Sequence, residues 1–177
     1  MLEIVPYDPQ WPAAYAAEAA RIHAALGVMA LRIEHNGSTA VPGLAAKPVI
    51  DIQVSVATLE PIDAFRGPLQ SIGYVHLPHA DDSFCPFFHR PHDWPHTHHV
   101  HVVQAGGREE RRTLAFRDYL RDHAAVAAEY AELKMRVARE FNASGKRSHD
   151  AYAGAKSAFI ERVIGEALRS GYPRDPW

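Results

Sequence analysis

The chain has 177 residues, the length of one domain with a single substantial core. Its net charge of -2 with neutral histidines excludes a global field that would attract nucleic acid or an acidic membrane surface. A lone cysteine, Cys85, excludes an intramolecular disulfide and fits a reducing cytoplasm. The N-terminus lacks signal-peptide regions, and no apolar run approaches the ~20 residues that span a bilayer. We therefore expect a cytoplasmic protein with no membrane partner and no obligatory nucleic-acid partner.

The first part of the chain alternates between helix and strand patterns. Pro9 and Pro12 fall in the first turn of a helix predicted to run from residue 8 to about 26. A second, short helix is predicted over residues 58–72, with Thr58 as its cap and Gly73 after its end. The alternation of apolar residues predicts strands over residues 28–35, 48–56, 74–77, 84–89 and 98–103.

From residue 108 onward the pattern is helical and charged. Three apolar faces predict three helices, with residues 142–148 as the turn between the last two. We therefore expect one domain over residues 1–177, with a sheet-containing core (1–107) and C-terminal helices (108–171). The predicted class is α+β: a mixed sheet of about five strands with helices on one side, followed by a C-terminal helical bundle.

The stretch from His35 to Gln53 carries the strongest functional signal. Gly37 and Ser38 form a small-residue turn that can present backbone N–H groups and a hydroxyl to an anion. Asp51 lies inside an apolar strand, where a carboxylate is costly unless it is used or paired. Together these residues predict a phosphate and metal site. Gly37-Ser38-Thr39 is alternatively only a tight turn, and Lys47 is either a phosphate contact or a solvated loop charge.

A histidine-rich strand offers metal ligands. Side chains alternate along a strand, so His99 and His101 share one face while Val100 and Val102 face the core. If this strand neighbours the Asp51 strand, Asp51, His99 and His101 form a two-histidine, one-carboxylate set. Such a set favours zinc, manganese or nickel over magnesium as the divalent ion. The alternatives are hydrogen bonding of both rings to neighbouring strands and, for the His-rich segment 89–98, a polar surface loop.

The long motif also carries a family resemblance. The pattern His35-x-Gly-Ser-Thr-Ala-Val-Pro-Gly-Leu-x-x-Lys-Pro-x-Ile-Asp-Ile, followed by His98-His-Val-His-Val and Tyr152-x-x-x-Lys156, resembles the GrpB family. That family implies a nucleotidyltransferase fold of the polymerase-beta-like type, with Gly-Ser followed by two acids on the next strand. Gln53 stands where the second acid belongs. Since that family's chemistry implies two ions held by paired carboxylates, we hypothesise that one transition metal replaces the pair.

Further ligand contacts are predicted outside the long motif. Tyr152 and Lys156 are four residues apart on a helical face, and Tyr130 and Lys134 repeat that spacing. The resemblance implies that Tyr152 contacts a base or ribose and that Lys156 contacts a phosphate. The alternative is two amphipathic helices whose lysines extend to water. Arg90 follows a strand and is either a phosphate contact or a surface arginine.

Two functions from different classes remain open. In the first, the protein is a metal-dependent nucleotidyltransferase that acts on a small molecule or protein. In the second, it keeps nucleotide or metal binding without transfer and serves as a sensor or accessory domain. The resemblance also implies a nucleotide-related context, because members of the family occur joined to dephospho-coenzyme A kinase domains. The neutral Gln53 favours the second function, whereas Asp51 and the histidine strand favour the first.

Overall fold

The computed structural model describes residues 3–143 and 149–174, and the side chains of all of these except 143 and 149–153. Its elements agree with the predicted order. The helices are α1 (Trp11–Leu26), α2 (Asp63–Ser71), α3 (Arg108–Asp122), α4 (Ala124–Ala143) and α5 (His149–Arg169). The strands are β1 (Arg32–Asn36), β2 (Ile50–Val56), β3 (Val75–His76), β4 (Phe87–Arg90) and β5 (His98–Gln104).

The five strands form one mixed sheet with the order β1-β2-β5-β4-β3. The central strands β2 and β5 are parallel, and the other neighbouring strands pair antiparallel. Parallel strands need a long crossover, which here contains α2, β3 and β4. The predicted α+β class with a mixed five-stranded sheet is therefore confirmed.

One face of the sheet is apolar and carries the main core. Helices α1 and α2 pack on this face, because their buried residues contact alternate residues of β2 and β5. This apolar face and its helices contribute Ile22, Leu26, Ile52, Val54, Phe65, Leu69, Phe88, Val100 and Val102, each no more than 3% exposed. The alternate apolar residues of β5 therefore face the helices that cover this side of the sheet.

The opposite face of the sheet is polar and lies towards the C-terminal helices. Glu110 of α3 is fully buried and pairs with Arg32 of β1, with N–O distances of 2.6 to 2.9 Å. It also accepts hydrogen bonds from Ser55 of β2 and from the backbone of Gly106. Because a buried carboxylate needs such donors, these contacts anchor α3 to the sheet. Helices α4 and α5 complete this side through a second apolar cluster.

Two predicted element boundaries were wrong by several residues. Helix α2 begins at Asp63, and the Thr58 hydroxyl accepts from the Glu60 N–H at 3.3 Å outside the helix. Pro61 accounts for the late start, since a residue before proline disfavours the helical region. Strand β1 begins at Arg32 because residues Gly27–Met29 form a 3-10 turn.

Helix α4 continues through Ala143, so it takes the first residues of the turn predicted over 142–148. Residues 144–148 of that turn lie outside the described residues. Among the helices described, none combines the length and the apolar character that crossing a membrane would require.

Candidate metal and phosphate site

The polar face of the sheet brings the predicted ligands together. In the parallel register of β2 and β5, Asp51 lies beside His99 and Gln53 lies beside His101. Val100 and Val102 point to the apolar face and are fully buried. The predicted division of β5 into a core side and a site side is therefore confirmed.

Asp51, His99 and His101 form a compact donor set. His99 Nδ1 lies 3.1 Å from Asp51 Oδ1, and His101 Nε2 lies 3.9 Å from the same oxygen. One ligand atom from each residue lies within 4.8 Å of the other two. Two imidazoles and one carboxylate are a donor set that suits a transition metal and leaves coordination positions for other ligands. The residues therefore fit a single ion of this class.

Charge coupling dominates the electrostatics of this triad. Burial opposes ionisation of Asp51, but the facing imidazoles of His101 and His99 outweigh it and hold the Asp51 pKa well below its usual range. Burial also lowers the pKa of His99. The pKa of His101 is raised to about 10 despite its burial, because Asp51 and Cys85 stabilise its proton. A metal ion bound by His101 would have to displace this proton, so metal binding at the triad would release acid.

Three lysines are close enough to Asp51 for their charges to be coupled to it. Burial lowers the pKa of Lys47, Lys134 and Lys156, and the charge of Asp51 partly restores each. The pKa reaches about 7 for Lys134 and about 8 for Lys156. Ammonium groups held in this way are poorly solvated, so a multiply charged anion is the ligand that they favour.

Lys134 is a buried cation coupled to Asp51, and the sequence singled it out only through its spacing from Tyr130. It is only 2% exposed, donates to the Ala45 carbonyl at 2.5 Å, and lies 4.6 Å from the centre of the Tyr130 ring. The alternative in which its side chain extends to water is therefore wrong. The spacing of Tyr130 and Lys134, which repeats that of Tyr152 and Lys156, was the available signal.

The Gly37 turn packs directly against Asp51. Gly37 has φ +67° and ψ -167°, a conformation adopted almost only by glycine. A Cβ atom built on Gly37 would lie 2.9 Å from both the Cβ and the Cγ of Asp51. Ser38 is half-buried in the same turn, whereas the Thr39 hydroxyl is occupied by the Val49 carbonyl and the His35 ring. The turn thus sets the position of the carboxylate.

Gly37→Ala tests this packing. We expect a loss of about 2–3 kcal/mol in the free energy of unfolding, from backbone strain and displacement of Asp51. We also expect metal affinity to fall at least ~10-fold, since a displaced ligand weakens the site. Denaturant titration and metal titration measure the two effects.

Gly43→Ala is the matched control for Gly37→Ala. Gly43 has φ +78°, and nothing lies within 4 Å of its added Cβ, so this variant has the strain without the clash. If both variants keep full metal affinity, the Gly37 turn does not position Asp51.

Hydrogen bonds within the protein hold the Gln53 side chain, so its oxygen is not available to a ligand. It is fully buried, and its Oε1 accepts from Asn36 Nδ2 at 3.2 Å and from the Thr113 hydroxyl. Its Nε2 has no hydrogen-bond partner among the described residues. The residue in the position of the second acid therefore adds neither negative charge nor an available oxygen ligand to the triad.

One predicted ligand contact, Arg90, is not brought to the triad. Arg90 shares the apolar face with His98, its partner in the register of β4 and β5. It donates to Glu18 at 3.0 Å, so the structure assigns this guanidinium to an ion pair on the far side of the sheet. The phosphate contact predicted for Arg90 has no support in this geometry. Tyr152 lies in α5, and its side chain is outside the described part of the chain.

The His-rich segment is more ordered than a simple polar loop. His96 stacks on His89 with ring centres 3.9 Å apart, and its Nδ1 lies 3.3 Å from His99 Nε2. His89 is buried, whereas His92 is exposed. A ring that contacts the second nitrogen of a ligand histidine orients that ligand, so His96 supports the triad.

Known proteins match this chain over most of its length. A UPF0157 protein of Pseudomonas aeruginosa is 39% identical over 170 residues, which cover 94% of this chain and 68% of that protein. A dephospho-CoA kinase of Mycobacterium leprae is 31% identical over 184 residues, which cover 89% of this chain but only 44% of that protein.

A solved structure agrees with these relatives. The crystal structure of conserved protein GrpB from Enterococcus faecalis superposes with a TM-score of 0.84 at 36% identity, covering 95% of this chain and 98% of that one. A family model described as GrpB protein matches residues 1–166. The fold, the relatives and this match together show that the chain belongs to the GrpB family.

Proposed function

We propose that this protein binds a nucleotide, or another phosphorylated small molecule, together with one divalent transition metal, and transfers a nucleotidyl group to a small molecule or protein. The observation that carries the proposal is the compact Asp51, His99 and His101 set, and the coupling of three lysines to the charge of Asp51 supports it. Gly37-Ser38 before β2 and Asp51 on it support a nucleotidyltransferase-like fold. The lone free Cys85 supports a cytoplasmic location.

The triad would hold the metal, with zinc, manganese or nickel favoured over magnesium by the two imidazoles. A bound ion of this kind supplies Lewis-acid polarisation of a phosphoryl oxygen. Lys47, Lys134 and Lys156 neutralise the phosphates, and the Gly37-Ser38 turn offers backbone N–H groups and a hydroxyl to them. In transfer, the acceptor hydroxyl oxygen bonds to the α-phosphorus, its proton passes to solvent water, and the bond to pyrophosphate breaks. The lysines stabilise the charge that gathers on this leaving group.

A second function, binding without transfer, is favoured by Gln53. Its buried amide leaves Asp51 as the one acidic residue of the donor set described here. A site with less negative charge holds fewer cations, and two-metal transfer needs several anionic ligands. A relative named dephospho-CoA kinase supports a nucleotide-related context for either function.

The two functions differ in turnover. The metal-loaded protein is incubated with labelled nucleoside triphosphates, and pyrophosphate release and labelled products are followed with zinc, manganese, nickel and magnesium in turn. The first function predicts pyrophosphate release that requires one of the transition metals. Binding without release under every metal would assign the second function, and absence of binding would overturn both.

Gln53→Asp tests whether the missing acid limits transfer. We expect at least ~10-fold faster pyrophosphate release with magnesium, because a second carboxylate supplies the charge that hard cations need. Gln53→Asn is the control, since it has the same shorter reach without the charge. Equal rates in the two variants would show that charge at this position does not limit the reaction.

A further inference from the structure

We propose that the exposed indole of Trp94 holds the aromatic base of the ligand, so that the site takes nucleoside polyphosphates rather than phosphate esters in general. This inference rests on the proposed function and concerns the part of the ligand that the triad and the lysines leave undefined.

Trp94 lies beside the phosphate-binding residues. Its side chain is 44% exposed, whereas Trp11 is 6% exposed in the main core. Single exposed apolar residues are common, so exposure alone indicates no function. However, Lys47 Nζ lies 4.7 Å from the centre of the Trp94 ring, and Lys47 is also coupled to the charge of Asp51. The Lys47 ammonium therefore lies over one face of the indole, in contact with the aromatic surface.

Contacts at both ends fix the loop that carries Trp94. The Thr97 N–H donates to the Arg90 carbonyl at 2.8 Å and closes the loop between β4 and β5. Within the loop, His96 stacks on His89 and meets Trp94 edge to face, with ring centres 5.1 Å apart. Since the indole is already positioned, a ligand that stacks on it incurs little further loss of conformational freedom.

The same rings lead from Trp94 to the triad. His96 Nδ1 lies 3.3 Å from His99 Nε2, and His99 Nδ1 lies 3.1 Å from Asp51 Oδ1. Two imidazole rings therefore separate the indole from the carboxylate. A ligand whose phosphates contact Lys47 has its remaining part within reach of Trp94. Because every base has a π face, stacking on an indole retains a nucleotide with little preference among bases.

The test compares ligands with and without a base. Binding of several nucleoside triphosphates and of inorganic triphosphate, each with manganese, is measured by calorimetry on the full chain. We expect the native protein to bind the nucleoside triphosphates at least ~10-fold more tightly than inorganic triphosphate. We expect Trp94→Ala to abolish this difference without changing the affinity for inorganic triphosphate, and Trp94→Phe to keep most of it.

Leu168→Ala controls for truncation of an exposed apolar side chain, because Leu168 is 40% exposed on α5. Circular dichroism confirms that each variant is folded. If Trp94→Ala lowers the affinity for both ligand types equally, or lowers neither affinity, Trp94 does not hold the base. Phosphate binding by the site would be unaffected by that result. Failure of the native protein to bind either ligand type overturns both the proposed function and this inference.

Discussion

Asp51→Asn is expected to reduce transition-metal affinity by at least ~100-fold, because it removes the single carboxylate of the donor set. Asparagine keeps the size of the side chain and its contact with the Gly37 turn, so the change removes charge rather than packing. The loss should extend to phosphate ligands whose binding depends on the metal. Metal content after dialysis and metal titration by calorimetry measure the effect.

Asp93→Asn is the matched control for Asp51→Asn. The Asp93 side chain is 94% exposed and pairs only with the exposed His92 among the described residues. This variant should retain native metal content. Undiminished metal content in Asp51→Asn would show that the triad is not the metal site, and the site would then reduce to a hydrogen-bonded cluster of strand side chains.

Lys134→Met is expected to stabilise the ligand-free protein and to weaken phosphate binding. Burial lowers the Lys134 pKa from 10.5 to about 7, so below pH 7 the folded protein holds a poorly solvated ammonium group. Methionine has a similar shape without this cost, and we expect a gain of about 2 kcal/mol at pH 6. Triphosphate affinity at the same pH should fall at least ~10-fold, since a charge-assisted contact is lost.

The pH dependence gives a second measurement of the Lys134 effect. Between about pH 7 and 10.5 the unfolded chain holds the Lys134 proton and the folded chain does not. The unfolded state then holds one more proton at this group, so the contribution of Lys134 to native stability rises with pH across this range. In Lys134→Met this contribution should be lost. In both proteins Lys47 and Lys156, whose pKa values are also lowered, act in the same direction, and His101, whose pKa is raised to about 10, acts in the opposite one.

Arg136→Met is the control on the same helix, because Arg136 is exposed and its removal should leave both stability and phosphate affinity nearly unchanged. Denaturant titrations at pH 6 and pH 9 compare the three proteins. A destabilised Lys134→Met variant with native triphosphate affinity would make Lys134 a structural residue that holds the Ala45 carbonyl.

The site residues that the sequence predicts best are those whose position follows from the alternation of side chains along a strand. His99 and His101 had to share a side of β5 once Val100 and Val102 were assigned to the core, because side chains alternate along a strand. Asp51 was predicted from a different feature, a charged side chain within an apolar strand. The composition of the Gly37 turn predicted backbone N–H groups presented to an anion, and the structure shows that the turn packs against the Asp51 carboxylate.

Arg90 shows where local patterns fail. The sequence placed it just after a strand and near the histidines, but β4 extends through Arg90 and its antiparallel register sets the face. An error of one residue at a strand end moves a side chain to the other side of the sheet. For Arg90 this is the difference between a phosphate contact and an ion pair with Glu18.

The family, the order of helices and strands, and the strand face that carries Asp51, His99 and His101 can all be predicted from the sequence. These features depend on local periodicity and on a long specific motif. The tertiary fold sets what local patterns do not. It makes β2 and β5 neighbours in register and buries Lys134 of α4, whose charge is coupled to Asp51. It also brings Asn36 and Thr113 to the Gln53 amide oxygen, and the Thr113 bond joins residues 60 positions apart. Packing between elements, rather than the pattern within any one of them, decides such pairings.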